Sequence, residues 1–194
     1  MAFSKIHTIH CYGDSLTAGY GADPRDGWIP RLAQDFRALT FYNHGILGAS
    51  LFDILDDAWT IVHYPSPGEA LFVMGGTNDI LSGIALPALK KKSEAEIRTL
   101  SAKIPMILGI PPLTTKASIA AGWQADWAYD RNNEDLALFG DFLRHLSHSL
   151  AIPAIDFQKQ FPREDAFYSD GVHPNAKGYA AFETIAKADL ARLF

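Results

Sequence analysis

Three residue types that together can carry out acyl transfer occur in this chain: serine at position 15, aspartate at 170 and histidine at 173. A serine hydroxyl is a weak nucleophile until a neighbouring base accepts its proton. His173 is the candidate base. Asp170 precedes it by three positions, in a turn containing Gly171, so its carboxylate can reach the imidazole Nδ1, fix the tautomer and stabilise the imidazolium. The reaction also needs donors for the developing oxyanion. Candidates are the backbone N–H of Ser15, that of Gly48, where a glycine permits close approach of a ligand, and the side-chain amide of Asn78. Alone, each signal is weak. Asp-x-x-His is often a turn and a helix cap, a serine at a strand–helix junction is often an N-cap, and Asn-Asp is a common turn pair. Their occurrence together favours chemistry.

These residues need elements to bring them together. Apolar runs at Ile6–Tyr12, Thr40–His44, Ala70–Gly75, Ile104–Ile110 and Ile152–Asp156 read as five strands, Ala70–Gly75 being continuously apolar as a doubly covered strand should be; Pro153 puts the last at a sheet edge. Between them the spacing predicts helices over Trp28–Ala38, Leu51–Trp59, Pro87–Ala102 and Glu134–Leu150. A final helix, Pro174–Leu193, would have Pro174 in its first turn. Strand–helix alternation with short links implies right-handed crossovers and a parallel sheet covered on both faces, an α/β fold whose ligands bind at the carboxyl ends of the strands. The turns at 13–17, 43–48, 75–79 and 170–174 are each expected to follow a strand and so to share one rim. Asp14 is expected to organise its turn, Asp79 to bond to backbone near the site, Gly45 to serve the backbone's conformation, and His44 to pack within a loop. The long segment Pro111–Asn133 is expected to be helical in part, near Ala117–Tyr129. Its Trp123, Trp127 and Tyr129 are candidates for a substrate pocket, against the alternative of an aromatic cluster covering the sheet.

GDSLT at 13–17, the glycine-bearing GILG at 45–48, GGTND at 75–79 and DGVHP at 170–174 resemble, in order and spacing, the four blocks of the SGNH-hydrolase (GDSL esterase/lipase) family. The resemblance implies a flavodoxin-like three-layer α/β/α sandwich with a central parallel sheet of about five strands. It implies Ser15 as nucleophile, His173 and Asp170 completing a triad, and Gly48, rather than Gly45, with Asn78 as oxyanion donors. It further implies a hydrolase of carboxylic esters, with acetylated carbohydrates, thioesters and lysophospholipids as other substrates known in the family. The short chain favours a small open pocket and short acyl groups.

The 194 residues fit one domain spanning 1–194, and 48% hydrophobic with 20% charged residues is ordinary for a globular chain. A net charge of −5 without a basic stripe argues against nucleic acid as partner. The lone Cys11 excludes an internal disulfide and is expected to be buried. The opening MAFSKIHTIHCYGDS lacks the apolar stretch of a secretory signal, and no apolar run nears the roughly 18 residues of a membrane span. A cytoplasmic protein acting on a small-molecule ester, without cofactor or metal, is the expectation. His145 and His148 lie three apart with no third ligand in view, and His7, His10 and His63 show no ligand spacing. Oligomeric state is not legible. Two other classes stand as alternatives: a metal-dependent hydrolase built on Asp14, Asn78, Asp170 and His173, and a non-catalytic ligand-binding domain.

Overall fold

The structure, a computed structural model, describes residues 3–64 and 66–194. Five strands form a single sheet: β1 (Thr8–Gly13), β2 (Thr40–Gly45), β3 (Glu69–Met74), β4 (Met106–Ile110) and β5 (Ala154–Asp156). All pairings are parallel and the order is β2-β1-β3-β4-β5. This is the flavodoxin-like order. The chain leaves β1 first to one side and then to the other, so a crevice opens at the carboxyl end between β1 and β3. Residue 13, the last of β1, pairs with Gly45 on one side and Met74 on the other. The register therefore brings the three turns that follow these strands side by side.

The strands alternate their side chains between two cores, as a two-residue period requires. Leu71 and Val73 of β3 join Tyr12 and Leu108 in one core with α3 (Leu51–Val62), α5 (Leu86–Ser101) and α7 (Asp126–Leu150). Phe72 and Met74 join Ile9, Cys11 and Ile107 in the other, beneath α2 (Trp28–Asp35), α8 (Phe157–Gln160) and α9 (Ala176–Leu190). Cys11 is buried and free, and burial pushes its thiol pKa far up. The predicted three-layer α/β/α architecture is thus observed, with β5 at an edge. Pro153 lies just outside β5, where its carbonyl accepts from the Leu108 N–H at 2.9 Å.

Three expectations need correction. α7 begins at Asp126, eight positions before the predicted Glu134, because its first turns bury Tyr129, Asn132 and Asn133 through hydrogen bonds rather than an apolar stripe. The helix expected in part of the long segment near Ala117–Tyr129 is there, as a short α6 (Ala117–Ala120) followed by the start of α7. Pro174 does not open the last helix. Asn175 caps it, accepting from the Gly178 N–H at 3.0 Å, while Pro174 forms an antiparallel bridge with Tyr168. Finally, Asp170–Pro174 does not follow β5 directly: α8 and a 3₁₀ turn at Asp165–Phe167 intervene before the chain returns to the rim.

Candidate active site

The end of β1 passes into α1 (Ser15–Ala18), a single helical turn. Asp14, not Ser15, is the N-cap: its Oδ1 accepts from the Leu16 N–H at 2.9 Å. The Ser15 hydroxyl is thereby left for another partner. That partner is His173, whose Nε2 lies 2.9 Å from Ser15 Oγ across 158 positions of sequence. His173 Nδ1 donates to Asp170 Oδ2 at 2.7 Å, leaving the Nε2 lone pair to accept the serine proton. Ser15 and His173 are both buried, at 5% and 3% exposure.

The acid member is strongly held. Asp170 Oδ1 accepts from the backbone N–H groups of Val172 (3.0 Å) and His173 (2.8 Å). Burial alone would push its carboxyl up, but these two N–H groups and the imidazole outweigh it and hold the pKa below the usual carboxylate range. Asp14 behaves in the opposite way. It is fully enclosed, its Oδ2 meets no partner among the described residues, and burial, reinforced by the nearby Asp79, pushes its pKa up to about 7 against the opposing Leu16 N–H. The Asp14 carboxyl, next to Ser15 in the chain, and the Asp170 carboxylate, bonded to His173, are thus shifted in opposite directions.

The second and third turns complete the rim. Gly48 is exposed at φ +74°, and a Cβ there would meet nothing within 4 Å. Among the described residues its N–H and that of Ser15 have no acceptor. Gly45 instead closes β2 against α1, where a Cβ would lie 2.3 Å from the Ala18 amide. α4 (Thr77–Leu81) carries Asn78, whose amide donates to the Ala49 carbonyl at 3.0 Å and keeps a second N–H. Asp79 Oδ2 accepts from the Leu51 N–H at 2.8 Å, the backbone role anticipated for it. His44 is not in a loop; it lies on β2, stacked on Tyr12 with ring centroids 4.5 Å apart.

The three aromatic residues predicted for a pocket separate. Trp123 is at the site, edge-to-face with His173 at 4.9 Å between centroids, its Nε1 donating to Asp170 Oδ2 at 2.8 Å. Trp127, 83% exposed, lines a groove beside Ile80–Ile84 instead. Tyr129 is turned inward, 7% exposed, its hydroxyl donating to the Thr114 carbonyl and accepting from Arg163. It is a core residue, not a pocket wall, because α7 starts early enough to carry it inward. Sequence reasoning missed Tyr20, which packs edge-to-face on His173 at 4.7 Å. Nothing in its local sequence marks it except its position just after the left-handed Gly19 that ends α1. An open pocket of about 760 Å³ abuts Tyr20, Leu47 and Asp170. Among the described residues no three His, Cys, Asp or Glu side chains converge as metal ligands. Asp170 and His173 direct their facing atoms at each other.

A hydroxyl, an imidazole and an ionised carboxylate in hydrogen-bonded series, on the carboxyl rim of a flavodoxin-like sheet, form the arrangement of a hydrolase. The chain matches the model of the GDSL-like lipase/acylhydrolase family over residues 11–181, and it belongs to that family. A lipolytic protein of the G-D-S-L family from Veillonella parvula superposes with a TM-score of 0.82 at 26% identity, covering 96% of this chain and 100% of that one. The psychrotrophic esterase EstA from Pseudoalteromonas sp., inhibited by monoethylphosphonate, superposes at 0.73 with 18% identity (96% and 97% covered). An acetyl xylan esterase, AlAXEase, superposes at 0.74 with 19% identity (93% and 98% covered). No curated protein sequence matches closely enough to count as a relative. Among the described residues, no helix is long and apolar enough to cross a membrane.

Proposed function

We propose that this chain hydrolyses carboxylic esters with small acyl groups through an acyl-enzyme on Ser15. The observation that carries the reading is the unbroken series Ser15 Oγ to His173 Nε2 at 2.9 Å and His173 Nδ1 to Asp170 Oδ2 at 2.7 Å. Ser15 Oγ attacks the ester carbonyl as His173 takes its proton. The oxygen of the tetrahedral intermediate accepts from the N–H groups of Ser15 and Gly48 and from the Asn78 amide. His173 then passes the proton to the departing alkoxide, and the alcohol leaves. Water, deprotonated by His173, attacks the acyl carbonyl; return of that proton to Ser15 Oγ releases the acid. Asp170 stays ionised throughout and holds the tautomer. The free N–H groups at Ser15 and Gly48 support the oxyanion assignment, since a donor already paired would gain nothing from the transition state. The compact length of the chain favours short acyl groups, acetyl among them.

The test is the Ser15→Ala variant together with a substrate series. Turnover of aryl esters should fall by on the order of 10⁵–10⁶ in a protein with an unchanged melting temperature. Turnover surviving in Ser15→Ala removes the mechanism. Aryl esters of increasing acyl length, acetylated sugars and an acyl thioester, assayed side by side, rank the substrate classes. A preference for long acyl chains would contradict the short-acyl reading.

A further inference from the structure

We propose that Trp123 is a positioning residue for this reaction, its indole N–H fixing the Asp170 carboxylate in the orientation that aims His173 at Ser15. The inference rests on the triad reading above and goes beyond it.

The carboxylate accepts four donors, two on each oxygen. Oδ1 takes the N–H groups of Val172 and His173; Oδ2 takes His173 Nδ1 at 2.7 Å and Trp123 Nε1 at 2.8 Å. Rotation about the Cβ–Cγ bond would break all of them, so the plane of the carboxylate is set on both sides. Three of the donors come from its own turn. Trp123 alone comes from elsewhere in the chain, so it ties the turn to the body of the protein. A hydrogen bond to an ionised group is also about twice as strong as one between neutral groups. The indole ring, edge-to-face on the imidazole, covers the same junction.

Trp123 is itself firmly placed. Its N–H bonds to the Ser118 carbonyl at 2.9 Å. The next residue, Gln124, is buried, donating to Thr114 Oγ1 (2.9 Å) and Ser118 Oγ (2.7 Å) and accepting from Asn132 Nδ2 (2.9 Å). Asn133 closes the network on Thr114. A fully paired buried polar network admits one geometry and penalises others. This network docks directly on the acid's turn: the Thr115 N–H donates to the Gly171 carbonyl at 2.8 Å, and a Cβ on Gly171 would lie 2.2 Å from the Ser118 amide. The long segment after β4 therefore acts as a strut from α7 to the carboxylate, with Trp123 at its tip.

Two variants separate the donor from the ring. Trp123→Phe keeps an aromatic ring and deletes the N–H. Trp123→Gln keeps a donor, with its amide nitrogen the same number of bonds from Cα as the indole nitrogen. In Trp123→Phe, kcat should fall about tenfold, the scale of one lost charge-assisted bond, with KM changed less than twofold. Trp123→Gln should recover part of that loss. The proton shared by His173 Nδ1 and Asp170, seen far downfield by NMR, should shift and exchange faster with water in Trp123→Phe, and this signal can be read in the Ser15→Ala background. Wild-type kcat and an unmoved resonance in Trp123→Phe overturn the proposal, as does a Trp123→Gln variant slower than Trp123→Phe or an effect confined to KM. Turnover persisting in Ser15→Ala would sink the triad reading instead, while the resonance would still report whether Trp123 holds Asp170.

Discussion

Two imidazole chains are built around β1. One runs Asp170–His173–Ser15 just past the end of the strand. The other runs Glu69–His10–His44 across it: His10 Nδ1 and His44 Nε2 are 3.0 Å apart, and Glu69 Oε1 lies 3.6 Å from His10 Nε2. The residue types are nearly the same. The construction is not. In the first chain the carboxylate is saturated with donors and bonds the imidazole at 2.7 Å. In the second the carboxylate stands beyond hydrogen-bond reach, and His10 Nε2 has no partner among the described residues. The first chain ends in a hydroxyl beside two glycine-bearing turns. The second ends in another imidazole, stacked into a ladder of rings with Tyr12 and Tyr42 on adjacent strands. Strand register fixes which rings meet but supplies no nucleophile and no free backbone donors. Turns from separated segments supply both. A carboxylate–imidazole pair is therefore not a site by composition alone; its terminal group and the saturation of its acid make it one.

The sharpest way to break this contrast is to neutralise each acid in turn. In Asp170→Asn the side-chain oxygen can still serve the Val172 and His173 N–H groups. The amide nitrogen then faces Nδ1, so the ring must carry its proton on Nε2, pointing at Ser15. A loss of about 10⁴-fold in kcat is expected, as for an acid that sets the tautomer. Glu69→Gln should leave kcat within about twofold, since its carboxylate makes no hydrogen bond to the ring it faces. Steady-state kinetics on one aryl ester decides both, and equal losses would erase the distinction.

How much of this was legible in the sequence follows the same line. Ser15, His173, Asp170, Gly48 and Asn78 could be picked out as candidates because their signals are local: a serine just past a strand, a glycine in a turn, a three-residue Asp–His spacing. The third strand was the most readable because a doubly covered parallel sheet makes a central strand continuously apolar. What stayed hidden was long-range and polar. The start of α7 is held by Asn132 and Asn133, which carry no apolar period. Trp123 and Tyr20 reach His173 across large sequence separations, and an indole that donates to a carboxylate reads in sequence as one more aromatic in a loop. His44, the last residue of the strand read at Thr40–His44, could be taken for a loop residue because Gly45 directly follows it.

The two carboxyls beside Ser15 sharpen the comparison further through stability. Burial pushes the Asp14 carboxyl up to about 7 in the folded protein, well above the ordinary carboxylate value of about 4. The folded protein holds a proton that the unfolded chain releases between those values. This group's contribution is therefore complete below about pH 4 and is lost as pH rises through 7. Asp170, held below the usual range, works in the other direction, and its contribution is lost as pH falls. Asp14→Asn retains an oxygen for the Leu16 N–H and removes the buried ionisation. Urea unfolding at pH 5 and pH 8 should show the variant gaining on the wild type by roughly 2–4 kcal/mol at the higher pH. A difference that does not change with pH would mean that Asp14 is ionised throughout.

The smallest effect expected is at the far end of the second chain. His44→Phe keeps a ring to stack on Tyr12 and removes the bond to His10. Burial, then repulsion from His10, holds the His44 pKa below its ordinary value, while Asp57 opposes both. A histidine kept neutral by the fold stabilises it at higher pH and withdraws that support as pH falls toward the lowered folded value. The wild type should thus lose stability on mild acidification slightly faster than His44→Phe, while kcat stays within about twofold because His44 touches no member of the Ser15 series. Melting curves at pH 7 and pH 5.5, with rates at pH 7, measure both. A large drop in kcat would mean that strain at the end of β2 passes through Gly45, packed against α1, to Ser15. The two imidazole chains would then be one coupled device rather than two separate constructions.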